Sequence, residues 1–120
     1  MLTHDVLLDI LEYNPENGVF QWKINPSQRI KAGDVAGTVH PHDRHIFWKR
    51  KSYSARRLAW LYMTGAWPEH DVANANGVVD DNRWDNLVPS YATERALRQH
   101  AAARALAQQP PGGGLQLPTS

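Results

Sequence analysis

The chain has 120 residues and a formal net charge of +1, from thirteen Lys and Arg against twelve Asp and Glu; that length suits one domain with a modest core and leaves no room for a second. The absence of cysteine excludes disulfides and a thiolate zinc site, in keeping with a reducing compartment. The longest apolar run, Leu58 to Met63, is far shorter than a bilayer requires and no leader pattern opens the chain, so the expectation is a soluble protein of the cytoplasm.

The amino end predicts a helix with Thr3 as N-cap, Asp5 in the first turn, and Val6, Leu7, Ile10 and Leu11 on one buried face, ended by Asn14-Pro15-Glu16-Asn17-Gly18. A half-buried strand follows, because Phe20, Trp22 and Ile24 alternate with Gln21 and Lys23. The stretch from Asn25 to Gly37, with Pro26, Gly33 and Gly37, predicts a loop. A hairpin is expected from Arg44–Trp48 and Ser52–Ala55, turning at Lys49-Arg50-Lys51. The helix from about Ser54 is apolar all round, which makes it the central core element, with Gly65 as its left-handed C-cap. A second hairpin spans Val72 to Val88.

A last helix is expected from about Tyr91 to Ala107, packing through Leu97 and Ala101. Its alanine-rich far half has high helix propensity and little to bury, so it is either a projecting partner surface or a plain solvent-exposed extension. The composition of Pro110–Ser120, with Gly112-Gly113-Gly114, predicts a disordered tail. The expected layout is a single domain over residues 1–108 and a disordered tail over 109–120.

Charge is polarised along the chain. Arg44, Lys49, Arg50, Lys51, Arg56 and Arg57 occur with no acidic residue between Arg44 and Arg57, whereas Glu69, Asp71, Asp80, Asp81 and Asp85 face a lone Arg83. The basic run either tracks phosphates or guards a sheet edge against strand pairing. Phe47 and Trp48 beside it either stack on bases or belong to the core, with at least one in the core. His40, His42 and His45 lack the cysteine partners or the helical spacing of a zinc site and are expected as surface residues of a turn, with no metal bound. Trp60, Trp67 and Trp84 are expected in the core.

The segment Arg56 to Leu87 contains RRLAW (56–60), VANANGV (72–78) and DNRWDNL, in which Asn82 and Leu87 fall. In order and spacing these resemble the HRLAW, IDHINGN and DNRxxNL of phage-type HNH endonucleases, with no gap needed. The resemblance extends to about residues 2–96. It implies an α+β fold: an HNH (ββα-metal) finger, its core at about 56–107, carried by an N-terminal helix and a small antiparallel sheet.

Enzymes of this kind use a His as general base toward water and a divalent ion held by carboxylate or amide oxygens. By the resemblance the metal-binding Asp falls on Ala73 and the base on Asn74, while the last Asn of the metal site falls on or near Arg95. Asn86, the middle Asn of the pattern, is retained, and its implied role is to hold the finger loop by hydrogen bonds. His70 and Asp71 are rescue candidates on the right strand faces, but at about 3.3 Å per residue they lie roughly 13 and 7 Å from the positions they would replace.

The resemblance therefore implies a catalytically inactive, phage-encoded binding protein with no cofactor. Its partner is either DNA, met by Lys49, Arg50, Lys51, Arg56, Arg57, Arg83 and Arg95, or a host nucleoprotein such as a CRISPR surveillance complex or another defence enzyme. The alternative is an active nicking endonuclease dependent on Mg²⁺ or Mn²⁺, its site rebuilt on His70 and Asp71.

Overall fold

The computed structural model of the chain describes residues 2–89. The expected final helix, the disordered tail and Arg95 lie outside the described residues.

Helix α1 spans His4–Ile10, and Thr3 caps it by accepting the Val6 amide at 3.3 Å. Leu7 and Ile10 are buried, but Val6 is exposed, so the apolar face is narrower than expected. The helix also ends earlier than its periodicity predicts. Leu11–Asn14 forms strand β1 and pairs antiparallel with β2, Val19–Trp22, in the register Leu11↔Trp22 and Tyr13↔Phe20. Leu11 continues the helical spacing of Val6, Leu7 and Ile10. It also begins an alternation in which Leu11 and Tyr13 are buried while Glu12 and Asn14 are exposed, and pairing with β2 decides for the strand.

The loop that follows β2 carries one isolated bridge, Gln21↔Val35, and leads into a three-stranded antiparallel sheet. Its strands are β3 (Thr38–His40), β4 (Asp43–Trp48) and β5 (Lys51–Ser54), in the order β3-β4-β5. The predicted hairpin is β4–β5, with a turn one residue shorter than expected because Lys51 pairs with Trp48. Strand β3 had no sequence signal, since all three of its residues are exposed at the sheet edge.

Helix α2, Ala55–Thr64, is capped by the Ser54 hydroxyl and stopped by Gly65 in the left-handed region at φ +83°. It packs on α1, β4 and β5, and its Leu58, Ala59 and Leu61 join Leu7, Leu11, Phe20 and Ile46 in one core. Beyond it a hairpin pairs β6 (Val72–Asn74) with β7 (Leu87–Pro89), and a single 3₁₀ turn over Trp84–Asn86 precedes β7. Trp84 is buried against Trp60, and Trp60 and Trp67 pack half-buried on the core.

The β1–β2 turn locks onto the finger hairpin. Gly18, at φ +76°, lies so close to the Asn82–Arg83 backbone that a Cβ would come within 2.3 Å of it. The Trp84 amide donates to the Pro15 carbonyl, and the Tyr13 hydroxyl donates to the Asn82 carbonyl at 2.5 Å. Burial, together with the nearby charges of Asp81 and Asp85, raises the Tyr13 phenol well above its ordinary range, so it stays a donor. Among the described residues no helix is long and apolar enough to cross a membrane.

Candidate functional site

Two places bear on function: the loop between β6 and β7, and the tip of the β4–β5 hairpin. The loop is a net of asparagines. Asn74, at the end of β6, is buried, and its carboxamide nitrogen donates to the Asp81 carbonyl at 2.7 Å and to Asn82 Oδ1 at 2.9 Å. Its oxygen accepts from Arg56 Nη1 at 2.6 Å. Both ends of the carboxamide are thus engaged by the protein.

Arg56 reaches this point from the first turn of α2. Its Nη2 donates to the His42 carbonyl at 2.6 Å and lies 3.5 Å from the Asp43 carboxylate, which is itself nearly buried. Arg56 stands where the resembling pattern has a His. It was expected on a phosphate-binding surface, and the structure turns it inward, onto the finger. The signal for this lay in Asp43, a lone carboxylate at the start of β4, but the pairing spans residues far apart in the chain.

Asn86 bonds across the loop from the 3₁₀ turn before β7. Its Nδ2 donates to the Asp81 carbonyl and to Asn76 Oδ1, and its Oδ1 accepts the Asn76 amide at 3.1 Å. Asn76 in turn accepts the Val78 amide and donates to Asp81 Oδ2 at 2.7 Å. The Asp81 carboxylate also accepts from Arg83 Nε at 2.7 Å and Nη2 at 2.8 Å. That bidentate bond, with help from Asn76, brings its pKa down to about 2.

Ala73 is half-buried in β6 opposite Val88, and its side chain offers no ligand. Asp71 lies just before the strand, strongly exposed, 3.4 Å from Arg57 Nη1. His70 is half-buried. Arg57, besides meeting Asp71, lies over the Trp67 ring. No cluster of three or more His, Asp or Glu that could hold a metal ion occurs among the described residues. His40 and His45 lie ring against ring at 4.8 Å, His45 Nδ1 is 3.1 Å from the Ser52 hydroxyl, and His42 sits in the exposed β3–β4 turn.

The acidic stretch is largely neutralised from within. Arg44 grips Asp80 through Nε at 2.7 Å and Nη2 at 3.0 Å, Arg57 meets Asp71, and Arg83 meets Asp81. Three of the expected surface cations are therefore committed to carboxylates, and Arg44 and Arg57 were not foreseen in that role.

The hairpin tip is different. Lys49, Arg50 and Lys51 are exposed and make no ion pair among the described residues; Lys49 lies over the Trp48 ring, 5.4 Å from its centroid. Lys49 and Arg50 form the two-residue turn, with φ of +49° and +68°, the two non-glycine residues at positive φ among those described. A two-residue hairpin with both φ positive is the turn that Asn-Gly occupies with least strain. Here two long cations hold it. Trp48 is half-buried against Trp22, whereas Phe47 is exposed, so one of that pair belongs to the core and the other does not.

The frame is thus an α+β protein in which an asparagine-braced hairpin stands beside an apolar helix. Residues 53–94 match the family described as HNH endonuclease. No curated protein and no solved structure matches the chain.

Proposed function

We propose that this chain is an HNH-type module that holds DNA without cutting it. The observation that carries the reading is Asn74: where the resemblance expects the water-activating base, a buried carboxamide is held on both sides by Arg56, Asn82 and the Asp81 carbonyl. A carboxamide does not take up a proton near neutral pH, and loss of a general base alone lowers turnover by about a hundredfold to ten-thousandfold. The Arg56 guanidinium is a permanent cation at the same place. It repels a divalent ion, although the Asp43 carboxylate 3.5 Å away offsets part of that charge.

Binding is read from the hairpin tip. Non-glycine residues in the left-handed region cost about 1–2 kcal/mol each, and strain of that kind concentrates at functional positions. Lys49 and Arg50 carry it while projecting charge that no carboxylate among the described residues answers. Phosphates are the matching partner. Docking of an acidic face on a host nucleoprotein has less support, because Asp71, Asp80 and Asp81 already pair with arginines. A phage protein of this kind would act by occupying DNA.

The test replaces Lys49→Asn together with Arg50→Gly, which removes both charges and relaxes the turn. Duplex binding is expected to weaken regardless of sequence, and the slope of log affinity against log salt to become shallower by about 0.9 for each lost phosphate contact. An unchanged slope removes the hairpin from the interface.

A further inference from the structure

We infer that the hollow between the inner face of the β4–β5 hairpin and residues 2–6 receives the terminal phosphate monoester of a DNA strand, held by Lys49, Lys51 and Tyr53; the inference rests on the DNA-binding reading above. The register places the residues. Ile46 pairs with Tyr53 and Trp48 with Lys51, so Trp48, Lys51 and Tyr53 share the face of buried Ile46. With Lys49 from the turn, and with Leu2 and Val6, they line a hollow of about 280 Å³.

The polar groups of the hollow are donors. Lys49 and Lys51 are exposed, and neither forms an ion pair among the described residues. An ammonium group offers hydrogens and accepts none. The Tyr53 hydroxyl accepts the Leu2 amide at 3.2 Å, and no described residue accepts its own hydrogen. Asp5 and Asp9 of α1 are exposed, but no carboxylate is among the residues that line the hollow. Its aromatic walls are braced: Trp48 packs on Trp22, with centroids 6.2 Å apart, and Tyr53 stacks on Trp67 at 6.1 Å.

Charge and shape decide the occupant. Two unanswered ammonium groups and a hydroxyl hydrogen match an anion with several acceptor oxygens, and the apolar walls strengthen each such bond. An internal phosphodiester carries a single charge and has a sugar on either side, so it suits the exposed Arg50 of the tip rather than a recess. A terminal monoester carries a charge of about −1.5 to −2 near neutral pH, presents three acceptor oxygens and has a sugar on one side only, which lets it enter the hollow. A carboxylate, with a single charge and two oxygens, leaves one of the two lysines unanswered.

The experiment follows fluorescence anisotropy of two internally labelled duplexes with the full chain, identical except that every strand end of one carries a phosphate and every strand end of the other a hydroxyl. The parent protein is expected to hold the phosphorylated duplex about tenfold more tightly, and Lys51→Ala to bring that ratio down to about one. Arg50→Ala is expected to weaken both duplexes and keep the ratio. Both side chains are exposed, and circular dichroism of each variant verifies the fold. At matched ionic strength, inorganic phosphate is expected to erase the preference and a glutamate peptide to leave it. Equal affinity of the parent protein for the two duplexes, a ratio that survives Lys51→Ala, or a ratio that Arg50→Ala lowers as far as Lys51→Ala does, overturns the end site. A preference erased as readily by the glutamate peptide overturns phosphate as its ligand. If the hydroxyl-ended duplex still responds to the Lys49→Asn, Arg50→Gly change in those cases, the end site alone has failed; if neither duplex binds even at low salt, the DNA-binding reading fails with it.

Discussion

The Asn74–Asn86 loop and the Lys49–Arg50 turn both connect antiparallel strands, and they treat charge in opposite ways. In the loop, Asp80 and Asp81 meet arginines, Asn76 and Asn86 bond each other, and Asn74 bonds Arg56, Asn82 and the Asp81 carbonyl. In the turn, two cations adopt strained backbone angles and project outward with no carboxylate among the described residues beside them. A loop whose carboxylates and carboxamides are answered internally contributes to the fold, whereas one whose charges are left unanswered at a conformational cost points outward to a ligand. The finger, the place where the family's chemistry is expected, is of the first kind here.

The comparison breaks most readily at Arg56. Replacing Arg56→Ala leaves Asn74 Oδ1 and the nearly buried Asp43 carboxylate without their cation, and the expected loss is about 3 kcal/mol of unfolding free energy in urea. A loss below about 0.5 kcal/mol, the range of an ordinary surface change, would show that Arg56 is free to serve the surface after all.

The hairpin tip predicts a smaller effect of the opposite sign. Lys49→Asn with Arg50→Gly is expected to raise stability by about 1 kcal/mol, because the left-handed turn is relieved, even as DNA affinity falls. Urea unfolding and DNA titration of the same protein sharpen the contrast; a destabilised variant would mean that the cations hold the fold.

The smallest effect belongs to acid. The Asp81 pKa is depressed from 3.8 to about 2, so its contribution to stability is complete above about pH 4 and is lost as pH falls through about 2. Arg83 is half exposed, so screening by solvent keeps this contribution small. Thermal midpoints measured from about pH 5 downward should fall less steeply in Asp81→Asn than in the parent protein; equal slopes would show that Asp81 is not bound to Arg83 in solution.

Much of the frame was legible in the sequence because local rules agreed with the fold. The caps Thr3 and Gly65, the start of α2 near Ser54, the alternation at Phe20 and Trp22, and the spacing of the finger all appear where they were expected. What failed was local ambiguity: Leu11 satisfies both the helical and the strand period, and only its pairing with Trp22 decides. Strand β3 carries no apolar signal because nothing in it is buried. The site was less legible than the frame. Asn74, Asn86 and the basic tip were singled out, but the inward turn of Arg56 and the grips of Arg44 on Asp80 and Arg57 on Asp71 join residues 14 to 36 positions apart. Sequence spacing gives no access to such pairs before the chain is folded.

The central claim, binding without cleavage, is tested most directly by incubating supercoiled plasmid with saturating protein in Mg²⁺ or Mn²⁺ and following both gel mobility and topology. The account predicts retarded plasmid that remains supercoiled once the protein is removed, with the same result in EDTA. Metal-dependent conversion to nicked circles that is abolished by His70→Ala would contradict it and restore an active site beside β6.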